Sequence, residues 1–200
     1  MKNVGTQIIE TERLILRKLE LEDYQQLFNN WCSDKNVSKY VTWDAHENIE
    51  DTKGYVQYKV DLYQHHYRFD WVVELKETKE LIGEIDSVKT SINYSLVELG
   101  YCFGSRFWNK GYATEALQAV IKYLKEVACV EKITACHIST NPASGRVMEK
   151  AGMTYDATLK EYVVDKNTKQ RADLVYYSYK WEWLLFNYLH KINLYSIIIV

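Results

Sequence analysis

The hydrophobic positions of this chain are most regular between residues 97 and 138. Val97, Leu99, Tyr101 and Phe103 alternate with Glu98, Gly100 and Cys102, the two-residue period of a strand with one buried face. From Ala113 the period changes to 3.6 residues: Ala116, Leu117, Val120, Ile121, Leu124, Val127 and Ala128 share one stripe and predict an amphipathic helix. Residues 132–138 then predict another strand. A strand, a helix and a strand in that order predict a parallel pair joined by a right-handed crossover.

Elsewhere the pattern is shorter but readable. Residues 13–19 (RLILRKL) predict a first strand. Leu21, Tyr24, Leu27, Phe28 and Trp31 recur at helical spacing behind acidic Glu22 and Asp23, which suit a helix N-terminus. Asn48 opens a second helix, whose mostly apolar face is Tyr55, Val56, Lys59, Val60 and Tyr63. Residues 69–75 and 81–88 flank the polar KETKE turn as an antiparallel hairpin. Ala143 to Ala151 predict a short helix closed by Gly152, and residues 154–164 and 172–180 a long hairpin around DKNTK. The fold class is therefore α/β, with seven predicted strands.

Two hundred residues, 47% hydrophobic and 26% charged, suffice for one well-buried core and exclude a disordered or fibrous chain. Twenty-five basic against 27 acidic side chains leave a net charge of −2, without the basic excess that a nucleic acid partner calls for. Cys32, Cys102, Cys129 and Cys136 form no C-x-x-C pair and no Cys/His set with zinc-ligand spacing, so neither a metal site nor a disulfide framework is predicted. Met1 to Glu12 lacks the apolar run of a secretory leader, and the nine residues 192–200 are about half of the ~18 that a membrane span requires. A cytoplasmic protein is expected. Residues 1–183 read as one domain and residues 184–200 as an apolar C-terminal extension that favours self-association, for instance as a homodimer, or packing across the domain.

Chemistry concentrates in residues 97–116, VELGYCFGSRFWNKGYATEA. A strand runs into a loop, and Gly111 and Ala113 stand where the next helix begins, so backbone amides can approach a ligand without side-chain obstruction. Unpaired amides and the positive end of the helix dipole make an anion site that suits a pyrophosphate. The segment has neither the G-x-G-x-x-G nor the P-loop spacing, which weakens nicotinamide and ATP readings; taken alone it also reads as a sharp turn serving only the fold.

Three motifs together resemble the Gcn5-related N-acetyltransferases (GNAT), and within them the group that acetylates N-terminal amines of ribosomal proteins. They are Glu98-Leu99-Gly100-Tyr101, Trp108-Asn109-Lys110-Gly111-Tyr112-Ala113-Thr114-Glu115-Ala116, and Asn141-x-x-Ser144 leading to Glu149-Lys150-Ala151-Gly152-Met153. The resemblance begins at Thr11-Glu12-Arg13-Leu14 and runs to about Trp183. In the superfamily pattern [Gln/Arg]-x-x-Gly-x-[Gly/Ala], Trp108, Gly111 and Ala113 take the matching positions, and Asn109 stands where the group mostly has glycine. The resemblance implies a mixed, mostly antiparallel sheet of about seven strands with a central parallel β-α-β unit and flanking helices. It implies that amides from Asn109 through Lys110, Gly111, Tyr112 and Ala113 to Thr114 hold the pyrophosphate of acetyl-CoA. Tyr101, Cys102 and Phe103 would pair with the pantetheine arm, and Asn141 and Ser144 would complete the cofactor site. Arg106, Lys110 and Arg146 are secondary candidates for phosphate charge.

Amine acetylation needs a free lone pair, so a carboxylate must take the amine's proton, directly or through water. Glu161, in the sixth strand, resembles the proposed base of the ribosomal-protein group, although alone it reads as an outward-facing strand glutamate. Glu98 is the rival base, with a buried structural carboxylate as its plainer reading. Glu84 and Asp86 share one face of their strand, where they either meet the acceptor or face solvent. Many superfamily members place an acid tyrosine where this chain has Met148, which cannot donate a proton. Ser144, on the same helix, resembles the residue proposed to bond the leaving sulfur, or else is a helix cap beside Asn141. His137 and Cys136 point to opposite strand faces and make no dyad. The expected partners are acetyl-CoA and a protein or peptide N-terminal amine. A small amine such as an aminoglycoside or polyamine is the alternative acceptor, and a non-catalytic acyl-CoA sensor the alternative of another class.

Overall fold

The computed structural model describes residues 1–179. In chain order they form β1 (Ile9–Glu10), β2 (Leu14–Arg17), α1 (Tyr24–Leu27), α2 (Lys35–Ser38), α3 (Ile49–Leu62), β3 (Asp70–Leu75), β4 (Leu81–Ser91) and β5 (Leu96–Phe103). Then follow α4 (Tyr112–Glu126), β6 (Lys132–Ile138), α5 (Pro142–Lys150), β7 (Thr154–Val164) and β8 (Arg171–Tyr179). The extension at residues 184–200, and the self-association read from it, lie outside the described residues.

The strands make one sheet in the order β1-β2-β3-β4-β5-β6-β8-β7. Its eight strands are one more than predicted, because Ile9 and Glu10 pair with Leu16 and Ile15. Two residues carry no readable period, so the pattern is silent there. Neighbours are antiparallel except β5 and β6, the parallel pair that α4 connects. The helix predicted around Leu21 to Trp31 forms in three pieces: a 3-10 turn (Leu21–Asp23), α1 and a π turn (Phe28–Cys32). Asp23 tightens its start, accepting the Glu20 N–H at 2.8 Å while pairing with Arg17 at 2.8 Å. By contrast α3 begins as its sequence suggests, the Asn48 side chain accepting the Asp51 N–H at 3.1 Å.

Strand alternation sorts β5 between two cores. Val97, Leu99 and Phe103 enter the larger core with Leu117, Val120, Ile121 and Leu124 of α4. Cys102 enters the smaller core with Leu27, Trp31 and Val56, on the face covered by α1 and α3. Each fully buried aliphatic side chain contributes about 1.5–3 kcal/mol, so β5 is clamped from both faces. Among the described residues, no helix is long and apolar enough to cross a membrane.

The parallel ladder is short. It runs from Leu96 opposite Lys132 to Leu99 opposite Ala135 and stops, although β5 continues to Phe103 and β6 to Ile138. Beyond that point each strand keeps only its outer neighbour: Tyr101 stays opposite Ile85 of β4, and His137 opposite Val175 of β8. The sheet therefore parts at its centre.

Candidate active site

Backbone groups of a strand alternate in direction. Because the Gly104 N–H donates to the Ile82 carbonyl at 3.0 Å, Cys102 also presents its backbone to β4, which turns the groups of Tyr101 and Phe103 toward the parting. The Phe103 carbonyl is taken by the Trp108 indole N–H at 2.7 Å. The amides of Tyr101 and Phe103 are thus placed to pair with an extended arm or to face a developing negative oxygen. Cys102 differs from its two neighbours: its thiol lies in the smaller core, 3.5 Å from Glu84 Oε1, and burial followed by the charge of Glu84 pushes it far up.

Past β5 the chain turns twice in the left-handed region, at Asn109 (φ 60°) and Gly111 (φ 82°). Asparagine tolerates this conformation better than most residues, which lets Asn109 stand at a glycine-like position. Gly111 is the N-cap of α4, and the first helical bond runs from the Glu115 N–H to its carbonyl at 3.0 Å. The amides of Tyr112, Ala113 and Thr114 therefore have no acceptor within the helix, and the dipole of a fifteen-residue helix stands behind them. Beside them a surface cavity of about 420 Å³ is lined by Arg13, Gly111, Thr114 and Lys150.

Arg13, which the sequence offered as a strand residue at the start of the family match and with no role at the site, fastens this loop. Its guanidinium donates to the Lys110 carbonyl at 3.0 Å, pairs with Glu115 at 2.7 Å and lies 4.6 Å over the Tyr112 ring. Thr11 donates to Glu115 at 2.6 Å; against the cost of burial, these partners hold the Glu115 carboxyl below its ordinary range. Arg106 is engaged elsewhere, with Glu80 and Asn30. Lys110 reaches over the Phe107 ring at 5.7 Å, and Arg146 is exposed on α5.

On the other side of the parting stands the first turn of α5. Asn141 is its N-cap and Pro142 its first residue, so Ser144 sits inside the turn and is not its cap. Instead the Ser144 hydroxyl lies 2.9 Å from the Tyr101 hydroxyl, which also donates to the Ser144 carbonyl at 2.8 Å. Met148, one turn further on, is buried in the larger core.

The carboxylates are spread over one face and one edge. Glu98 is half-buried on β5, and Cys136 lies 3.8 Å from it; burial and then Glu98 push the Cys136 thiol up to about 11. Glu84 accepts from the Tyr55 hydroxyl at 2.8 Å, and Asp86 pairs with Lys59 at 2.5 Å. Both carboxylates thereby tie α3 to β4, a role their spacing alone did not distinguish from a solvated face. Glu161 lies on the outermost strand β7, exposed, with φ 48°, where the register shifts between Leu159 and Val163. Its N–H donates to Asp173 at 2.9 Å and its carbonyl accepts from Arg171 at 3.0 Å. The structure thus brings Tyr101, Ser144 and the α4 amides around the parting, and places Glu161 two strands away from β6.

A sheet parted beside the free amides of a long helix defines a site for an extended, phosphate-bearing acyl carrier, the arrangement of an acyl-CoA N-acyltransferase. Residues 13–154 match the family described as an acetyltransferase (GNAT) domain. The chain belongs to this family and is an acetyl-CoA-dependent N-acetyltransferase. It is 30% identical over 161 residues to the uncharacterized N-acetyltransferase YoaA of Bacillus subtilis, covering 80% of this chain and 90% of that protein. A crystal structure of a GNAT-family acetyltransferase from Bacillus anthracis superposes with a TM-score of 0.75 at 31% identity, covering 86% of this chain and 97% of that one. The [ribosomal protein uS5]-alanine N-acetyltransferase of Escherichia coli is 22% identical over 166 residues, 81% of this chain and 86% of that protein.

Proposed function

We propose that this N-acetyltransferase acetylates the N-terminal amine of a protein or peptide by direct attack of the amine on acetyl-CoA, without a covalent enzyme intermediate. The observation that carries the acyl-transfer site is the parting of β5 from β6 beside the unbonded amides of Tyr112, Ala113 and Thr114. Acetyl-CoA, when bound, supplies the activated acyl group. Arg13 holds the phosphate loop in shape, and the amides of Tyr101 and Phe103 orient the arm and face the oxygen on which charge develops. The Ser144 hydroxyl bonds the departing sulfur.

Glu161 removes the amine's proton, directly or through water. A bulge re-aims the side chains it carries and favours places next to active sites. Glu161 sits at such a register shift with positive φ, its backbone fixed by Asp173 and Arg171 and its side chain exposed. Glu98 is the second candidate, lying closer to the parting on β5.

The edge that carries Glu161 is tied to the helical side of the molecule. The β7–β8 turn crosses to the segment between α2 and α3: Lys166 pairs with Asp44 at 3.0 Å, and Asn167 donates to the Lys39 carbonyl at 2.8 Å. The uS5-modifying relative supports the same acceptor class, and with it a cytoplasmic place of action.

Release of free thiol from acetyl-CoA, followed with peptides bearing free or blocked N-termini and with polyamines and aminoglycosides, tests the reading. Turnover that requires a free peptide N-terminus is expected. Turnover with only small amines would reassign the acceptor, and binding of acetyl-CoA without thiol release to any amine would make the protein a sensor.

A further inference from the structure

Met148 leaves α5 without a proton donor at that position, yet a phenol reaches the same helix from β5. Ser144 and Met148 are four residues apart and share one face of α5. The Tyr101 hydroxyl, 43 residues away in sequence, touches Ser144 at two atoms, 2.8 Å from its carbonyl and 2.9 Å from its hydroxyl. A carbonyl only accepts, so the phenol proton points to it and the Ser144 proton is free to point to the phenol oxygen. Burial pushes the Tyr101 phenol up, which keeps that proton in place at any working pH.

We propose that Tyr101 is a positioning residue for the leaving group: it holds the Ser144 hydroxyl in one rotamer at the parting and strengthens it as a donor when charge appears there. In the resting arrangement the Ser144 proton bonds Tyr101 and the Tyr101 proton bonds the Ser144 carbonyl. As sulfur gains charge, the Ser144 proton turns to it, and the phenol, already within 2.9 Å, turns its own proton to the Ser144 oxygen. Neither O–H bond breaks; only the direction of two hydrogen bonds changes. This rests on the reading of Ser144 given under Proposed function.

The test is a double-mutant cycle on kcat with a peptide acceptor, each variant first checked by melting and by acetyl-CoA calorimetry. Tyr101→Phe is expected to lower kcat about threefold to tenfold, as fits one lost hydrogen bond, with KM for acetyl-CoA unchanged within about twofold. In a Ser144→Ala background the same change should cost less than about twofold, and in a Ser144→Thr background, which keeps a hydroxyl, the cost should return. If Tyr101→Phe does not fold, Tyr101→Met, which adapts to irregular gaps, takes its place in the cycle. Equal losses in the wild-type and Ser144→Ala backgrounds would overturn the proposal, since an effect that does not act through the Ser144 hydroxyl is additive. Full kcat in Tyr101→Phe with a slow Ser144→Ala would overturn it while leaving the Ser144 reading intact. Full kcat in Ser144→Ala would remove both.

Discussion

Gly111→Val strikes the loop at its most constrained point. Gly111 lies at φ 82°, and a Cβ placed there would come within 3.3 Å of Arg13 Nη2. A left-handed residue bearing a Cβ costs roughly 1–2 kcal/mol, which for a domain of this size lowers the melting temperature by roughly 2–8 °C. Gly111→Ala makes the same approach to Arg13 at a smaller conformational cost, because a β-branched side chain is disfavoured further in that region. Only valine adds branches beside the amides of Tyr112 and Ala113. If those amides hold a phosphate, losing one charge-assisted hydrogen bond costs about 1.5–3 kcal/mol, or roughly 10- to 150-fold in Kd for acetyl-CoA. Both variants should therefore melt below the wild type, valine the lower of the two, and calorimetry on the folded proteins should find the large loss of affinity in valine and not in alanine. Wild-type affinity in a folded Gly111→Val protein would refute the assignment of the α4 N-terminus to the phosphates.

Ser144→Ala should slow turnover about 5- to 150-fold, the worth of one donor to a developing charge in a dry site, with little change in melting because Ser144 does not cap α5. A melting shift with full turnover would return it to a structural role. Glu161→Gln should lower kcat with cofactor affinity nearly intact, and raising the pH should restore part of the rate as the amine loses its proton unaided; if only Glu98→Gln behaves so, the base is Glu98. Cys136, raised to about 11, stays a thiol at neutral pH, so its alkylation should climb only as the pH approaches that value. Peptide-resolved mass spectrometry checks this, and saturation of the rate near the ordinary thiol range would show that Glu98 and burial do not act on it.

The elements around the parting were legible because their signals are local. Residues Ala116 to Leu124 repeat over several turns, Val97 to Phe103 alternate cleanly, and both elements lie where the pattern predicts. What escaped is what depends on distant partners. Alternation continues unchanged through Tyr101 and Phe103, so nothing in it marks where β6 stops pairing. Arg13 meets Lys110 and Glu115 across about a hundred residues, and in the sequence it is one charge among many at the head of a strand. Cys102 shows the limit of carrying a motif over as a block: three neighbours named together divide by strand direction into two that face the parting and one that does not. Asn109 shows the reverse, since a residue that differs from the group's glycine adopts the backbone a glycine would supply.

A sheet ordinarily has two edges, and proteins guard them because an unpaired strand invites another chain. The short ladder between β5 and β6 gives this sheet two more, in its interior. These inner edges face each other across a slot between β5 and β6, beside which the Tyr101 hydroxyl of β5 bonds Ser144 of α5. The amides of Tyr101 and Phe103 should accordingly exchange with solvent as if they belonged to a border, despite lying mid-sheet, until a bound arm spans the slot. An arm bound there would stitch the β1-to-β5 half to the β6-to-β8 half, and its departure after each turnover would leave the two joined beyond Leu99 by the larger core and not by backbone hydrogen bonds.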